Sequence, residues 1–136
     1  MKLTQKQIEE IFAHARQELP YECCGLFGGR DNHVSSVYKF KNVAVNPLVE
    51  YEAAPEELFR AQKLMRERGE RLIGIYHSHP RAAEPFPSQT DIERAFYPEA
   101  IYFIVGFAQN TPVLRAFRIF EYEPRWMPAG FEIAEP

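Results

Sequence analysis

The stretch that decides the fold is Leu72-Ile73-Gly74-Ile75-Tyr76-His77-Ser78-His79-Pro80. Its apolar run has a strand's length and reads as a central strand, buried on both faces, that runs into His77. Side chains two apart along a strand point to the same side, so His77 and His79 project together. Two imidazoles on one face need a further ligand to hold a metal. Residues 80–87 form a proline-punctuated loop, and Ser88 opens a short helix to about Phe96. The first turn of that helix carries Asp91, which the loop can bring back to the histidines. Two nitrogens and one carboxylate oxygen leave one coordination position for water, the pattern of a catalytic zinc site rather than a closed structural one.

Outward from this stretch the elements alternate. A helix over residues 55–68 has Pro55 at its first position, Glu56 and Glu57 at the positive dipole end, Arg66 and Arg68 at the negative end, and Gly69 as its C-cap. A first helix over residues 4–19 repeats Ile8, Ile11, Phe12, Ala15 and Leu19 at helical spacing, with Thr4 and Gln7 as a capping box, and ends at Pro20. Residues 24–29 read as a strand that returns, after a turn at Arg30-Asp31-Asn32, through Val34 to Val43. Strands over 101–107 and 113–120 flank a turn at Gln109-Asn110-Thr111-Pro112. Both hairpins are antiparallel, so the expectation is an α/β (α+β) fold, a mixed β-sheet flanked by helices. Residues 1–122 form one domain in this reading. The tail, 123–136, carries Pro124, Pro128 and Pro136, which argue against regular structure for much of it, while Trp126 and Phe131 are expected to dock on the domain.

The 136 residues are 46% hydrophobic and 26% charged, enough for a core without disulfide staples and unlike a disordered chain. Sixteen basic against nineteen acidic side chains leave a net charge of −3, which offers no bulk field for nucleic acid. A local basic group, Arg60, Lys63, Arg66 and Arg68, remains a possible contact for an acidic partner. No apolar run approaches the eighteen or so residues of a membrane span, and Met1–Gln7 turns polar at once, without a signal peptide's apolar segment. Adjacent cysteines rarely bridge, so Cys23 and Cys24 read as reduced thiols in a cytoplasmic protein, one in the core and one near the site. His14 and His33 are expected to be solvated, as is Glu84.

A metal-activated water needs a base to take its proton. Glu22, in Tyr21-Glu22-Cys23-Cys24-Gly25, is the candidate acid, but nothing in the spacing places it beside His77, fifty-five residues away. Taken together, Glu22, His77-Ser78-His79-Pro80 and Ser88-Gln89-Thr90-Asp91 resemble the signature of the JAMM (MPN+) zinc metalloprotease family, in its small prokaryotic form. The resemblance runs from the first helix to the strand ending near Phe120. It implies a cytidine-deaminase-like fold and one Zn2+ per chain on His77, His79 and Asp91. It also implies Glu22 as general acid/base and Ser88 as donor to the tetrahedral oxyanion. The implied reaction is hydrolysis of an amide or isopeptide bond after the C-terminal glycine of a ubiquitin-like or sulfur-carrier protein.

Two departures are visible: Ile104-Val105-Gly106 stands where many relatives follow the apolar run with serine, and no room exists for the insertions that grip linked ubiquitins. Ser88 and Asp91 also make a capping box, a role compatible with catalysis. Competing readings are a non-catalytic MPN-type scaffold for protein assembly, a two-histidine, one-carboxylate iron site that leaves Glu22 and Ser88 unexplained, and a thiol nucleophile at Cys23 or Cys24. Metalloprotease His-Glu-x-x-His, P-loop, dinucleotide and zinc-deaminase motifs are absent.

Overall fold

The computed structural model describes residues 1–134. In chain order the elements are β1 (Lys2–Thr4), α1 (Gln5–Glu18), β2 (Cys24–Arg30), β3 (His33–Phe40), α2 (Pro55–Arg68), β4 (Arg71–Ser78), α3 (Gln89–Glu93), β5 (Ile101–Ala108), β6 (Thr111–Ile119), β7 (Trp126–Ala129) and β8 (Glu132–Ala134). The strands form one mixed sheet in the order β7-β6-β5-β4-β2-β3-β1-β8. β4 lies between β2, to which it is antiparallel, and β5, to which it is parallel. The β4–β5 connection contains α3, as a parallel pair demands a crossover.

Local chemistry explains the punctuation. Thr4 and Gln7 close a reciprocal capping box on α1, and Gly69 ends α2 at φ 68°, in the left-handed region where glycine carries no steric penalty. Asp31-Asn32 and Gln109-Asn110 all have positive φ, the geometry of two-residue hairpin turns whose twist matches the flanking strands. α3 is shorter than its sequence reading, ending at Glu93 rather than near Phe96.

Strand alternation divides the core in two. On one face Leu3, Cys23, Phe27, Tyr76, Phe103 and Val105 pack with Ile8, Ile11 and Ala15 of α1. On the other, Cys24, Leu26, Ile75 and Tyr102 pack with Ala61 and Met65 of α2. Neighbours such as Ile75 and Tyr76 thus point to opposite faces. Gly25 admits the Tyr76 ring across β2, since a Cβ there would lie 2.3 Å from that ring and 2.4 Å from the Tyr38 carbonyl.

Two sequence expectations change. The tail is largely strand: β7 pairs antiparallel with β6 at one edge, and β8 pairs parallel with β1 at the other. Pro128 fits because β7 is an edge strand, where a missing N–H costs no ladder bond. Between β7 and β8 stand Gly130 and Phe131, so three Cα steps, at most about 11 Å, join the opposite edges and require the sheet to curl. Trp126 and Phe131 do dock, Phe131 edge-on to Phe103 at 5.6 Å and Trp126 edge-on to Phe117 at 5.4 Å. Residues 135–136 of the tail lie outside the described residues. His14 is buried rather than solvated, because Tyr76 gives it a polar partner inside: its Nδ1 lies 2.8 Å from the Tyr76 hydroxyl. His33 is exposed, as expected. Among the described residues no helix is long and apolar enough to cross a membrane.

Candidate active site

His77 is the penultimate residue of β4, and the backbone stays paired one residue past the strand's end, where the His79 N–H donates to the Val105 carbonyl at 2.8 Å. Both rings therefore leave the sheet on the same side. Their Nε2 atoms lie 3.0 Å apart, and each is 3.0 Å from Asp91 Oδ2. Hydrogen bonding alone does not satisfy this triangle: once both neutral imidazoles donate to Asp91, no proton is left for the nitrogen–nitrogen edge. An ion does satisfy it, because tetrahedral nitrogen and oxygen ligands at about 2.0–2.1 Å from a metal sit about 3.3 Å from one another. The donor set His77, His79 and Asp91 fits a metal on that ground.

Asp91 reaches this position through its cap. The Ser88 N–H donates to Asp91 Oδ2 at 2.9 Å, and the Asp91 N–H donates to Ser88 Oγ at 3.1 Å. One reciprocal box starts α3 and aims Asp91 Oδ2 at the two histidines. Burial pushes the Asp91 carboxyl upward, but its electrostatic attraction to the His77 ring and the hydrogen bonds from His77, His79 and the Ser88 N–H outweigh it and hold the group below the usual carboxylate range. Burial lowers the His77 pKa against the opposing pull of Asp91, favouring the neutral ring that a metal ligand must be. Tyr51 stacks on that ring at 4.4 Å and 23°.

Sheet register brings Glu22 to the same place. β2 pairs with β4 so that Cys24 faces His77 and Gly25 faces Tyr76. The Ser78 N–H bonds to the Cys23 carbonyl, carrying the pairing one residue before the start of β2, and Glu22 is the next residue along. Its carboxylate has an oxygen within 4.8 Å of ligand atoms of both His77 and His79, and Oε1 has no hydrogen-bond partner. Burial first, then the charges of Asp91 and Glu50, raise its carboxyl to about 8. Glu22 is bonded to neither imidazole and has an oxygen unused; its distance to the two rings is compatible with a ligand to a metal or with a proton carrier beside one. A buried carboxyl with a raised pKa suits the second role.

Glu22, His79, Ser88, Leu48, Val49 and Arg81 are among the residues that line an open cleft of about 380 Å³. Ser88 Oγ accepts from Asp91, a bond that leaves its own hydroxyl hydrogen unused. Both cysteine thiols are buried, on opposite faces, and burial pushes each up to about 12, which disfavours the thiolate that a nucleophile needs. Glu84 pairs at the surface with Arg115 at 2.6 Å. Gly106, the departure noted above, is explained by packing, since a Cβ there would lie 2.3 Å from the Ala82 carbonyl of the 80–87 loop.

Three residues of the site escape sequence reasoning. Ser78 accepts the Cys23 N–H at 2.8 Å, locking β2 to β4 beside the ligands. Tyr51 and Asn42 belong to the irregular segment between β3 and α2, and no spacing or motif marks either.

This sheet order, with helices on both faces and the two histidines at the end of β4, is the fold of JAB1/MPN domains. A JAB1/MPN domain protein from Archaeoglobus fulgidus superposes with a TM-score of 0.63 at 19% identity, covering 99% of this chain and 100% of that one. A protein from Desulfitobacterium hafniense, solved in solution, gives 0.86 at 37% identity over 99% of this chain and 93% of its own. The family described as prokaryotic homologs of the JAB domain matches residues 4–120, and the chain belongs to it, as a small member of the wider JAMM/MPN group. Relatives include a desampylase from Haloferax volcanii, 37% identical over 71% of this chain and 73% of that protein. A probable TtuB-protein conjugate cleaving protease from Thermus thermophilus is 37% identical over 93% and 76%. A CysO-cysteine peptidase from Mycobacterium tuberculosis is 30% identical over 84% and 79%.

Proposed function

We propose that the protein is a zinc-dependent hydrolase that cleaves the amide or isopeptide bond following the C-terminal glycine of a ubiquitin-like or sulfur-carrier protein. The observation that carries this reading is the 3.0 Å triangle of His77, His79 and Asp91 donor atoms, with an unpartnered Glu22 oxygen beside it. The names of the relatives, which describe removal of small protein modifiers and of cysteine from a carrier protein, supply the substrate class.

Zinc held by His77, His79 and Asp91 would supply Lewis acidity, activating water and polarising the scissile carbonyl. The chain's own groups do the rest. Glu22 takes the proton from the attacking water and passes it to the departing amine, so one carboxyl serves as base and then acid. The Ser88 hydroxyl donates to the oxygen on which charge develops. Leu48, Val49 and Pro80–Ala82 line the cleft that admits the substrate's terminal segment. A scaffold role does not require these five side chains to converge, and an iron oxygenase reading still leaves Glu22 and Ser88 without a task. Two free cysteines fit the cytoplasm as the working compartment.

The test offers zinc-loaded protein a ubiquitin-like or sulfur-carrier protein extended by a short peptide beyond its terminal glycine, read by mass spectrometry. Cleavage after that glycine, abolished by a chelator and restored by zinc, is the expected result. Intact substrate across a panel of such carriers, from protein shown to hold one zinc, overturns the reading.

A further inference from the structure

We infer that Asn42 is a positioning residue for the base Glu22, acting as a single side-chain staple that fixes the 42–53 loop against it. The claim that Glu22 is the base rests on the hydrolase reading above; the staple itself does not.

Glu22 sits in no helix or strand, so something else must hold its backbone. The Asn42 amide nitrogen donates to the Glu22 carbonyl at 3.0 Å and to the Glu50 carbonyl at 2.9 Å. The Asn42 amide oxygen accepts from the N–H groups of Ala44 at 3.0 Å and Glu52 at 3.1 Å. All four bonds use backbone partners, two donated and two accepted, close to the full capacity of a primary amide. Around them the loop neck is closed by the Asn42–Ala53 bridge and by the Val43 N–H bonding to the Glu52 carbonyl at 2.9 Å.

What this loop carries makes the staple functional. The Pro47 carbonyl accepts the Glu22 N–H at 2.9 Å, so the loop grips both backbone groups of the base, one through Pro47 and one through Asn42. Leu48 and Val49 form a wall of the cleft, and Tyr51 covers the His77 ring. Glu50, whose carbonyl Asn42 holds, also reaches Arg94 beyond α3 at 3.6 Å. Loops of this length lack the redundancy of a sheet ladder, so removing one amide that makes four bonds leaves several backbone groups without their protein partner. Other residue types do not repeat the set: aspartate keeps the two acceptor bonds and loses both donor bonds, while alanine loses all four.

Two measurements test the inference. The first, hydrogen exchange on zinc-free protein, needs no activity. In Asn42→Ala the amides of Glu22, Ala44 and Glu52 should exchange at least about tenfold faster, while those of β4 and β5 keep their protection. Unchanged exchange at Glu22 overturns the staple, and a uniform rise across the sheet assigns Asn42 to general stability and overturns it equally. The second is kinetic, on a carrier substrate that the parent protein cleaves. Asn42→Ala and Asn42→Asp should retain zinc and lower kcat about 10–100-fold, the scale of a misplacement near 1 Å. KM should move much less. In a Glu22→Gln background the Asn42 substitution should remove little further rate, because it acts through the group already gone. A full additional loss in the double variant, or parental kcat in the single ones, contradicts the assignment. Should the parent cleave no carrier, the hydrolase reading fails and the exchange result still decides the staple.

Discussion

The proposed site has two halves that are held in different ways. The ligand half is built on the sheet: His77 lies at the end of a central strand, His79 continues its backbone against β5, and Asp91 is aimed by a helix cap. The proton half, Glu22 and the 42–53 loop around it, belongs to no helix or long strand and is held by side-chain-to-backbone bonds from Asn42 together with a few loop backbone bonds such as Glu22 N–H to the Pro47 carbonyl. A metal site tolerates little movement, and a strand end with a cap supplies rigidity from redundant ladder bonds. A base must exchange protons with a changing partner, and a loop reaching into a cleft gives access to both water and substrate. The contrast predicts that damage to the first half removes metal and activity together, whereas damage to the second removes activity and leaves metal.

The largest effect should come from Asp91→Ala, which deletes a ligand and the reciprocal partner of the Ser88 cap. Zinc content should fall well below one per chain, with hydrolysis undetectable, as checked by elemental analysis and cleavage assay. Retention of stoichiometric zinc would assign Asp91 to capping alone. Next in size, Phe103→Ala in the sheet core should cost about 3–5 kcal/mol in urea unfolding, since a fully buried aromatic leaves a cavity behind. Below the transition, the folded fraction should still bind zinc.

The proton half should also titrate in the opposite sense from the core in the zinc-free protein. Glu22 has its folded pKa raised to about 8 from 4.5, so the native state holds a proton that the unfolded chain releases. Its contribution is complete below about pH 4.5 and declines as pH rises towards 8. His14, beneath the sheet, has its folded pKa lowered by burial from 6.5. Its contribution is complete above about pH 6.5 and is lost as pH falls through the lowered value. Urea midpoints across pH should show the alkaline decline flattened in Glu22→Gln and the acid loss flattened in His14→Phe. The smallest effect belongs to the exposed Glu84–Arg115 pair, whose removal should change stability by less than about 1 kcal/mol and leave cleavage unaltered.

How much can be read without the structure follows the same division. His77, His79 and Asp91 are legible because one strand, one loop and one helix cap relate them, and each step has a local rule. Glu22 is not: its place depends on the β2–β4 register, a long-range pairing, and only its resemblance to a known motif points to it. Asn42 and Tyr51 leave no trace, because their partners are backbone groups and a ring gathered by the fold. His14 escapes because an apolar stripe counts hydrophobic faces and omits a buried hydroxyl such as Tyr76. The tail escapes because proline weighs as a strand breaker, although an edge strand leaves its N–H side unpaired.

The most direct test of the central claim is Glu22→Gln, measured for zinc and for cleavage in one preparation. The side chain keeps its size and loses its proton-carrying capacity, so the account predicts one zinc per chain and a fall in kcat of about 10²–10⁴-fold. Parental cleavage by the zinc-loaded variant would contradict it.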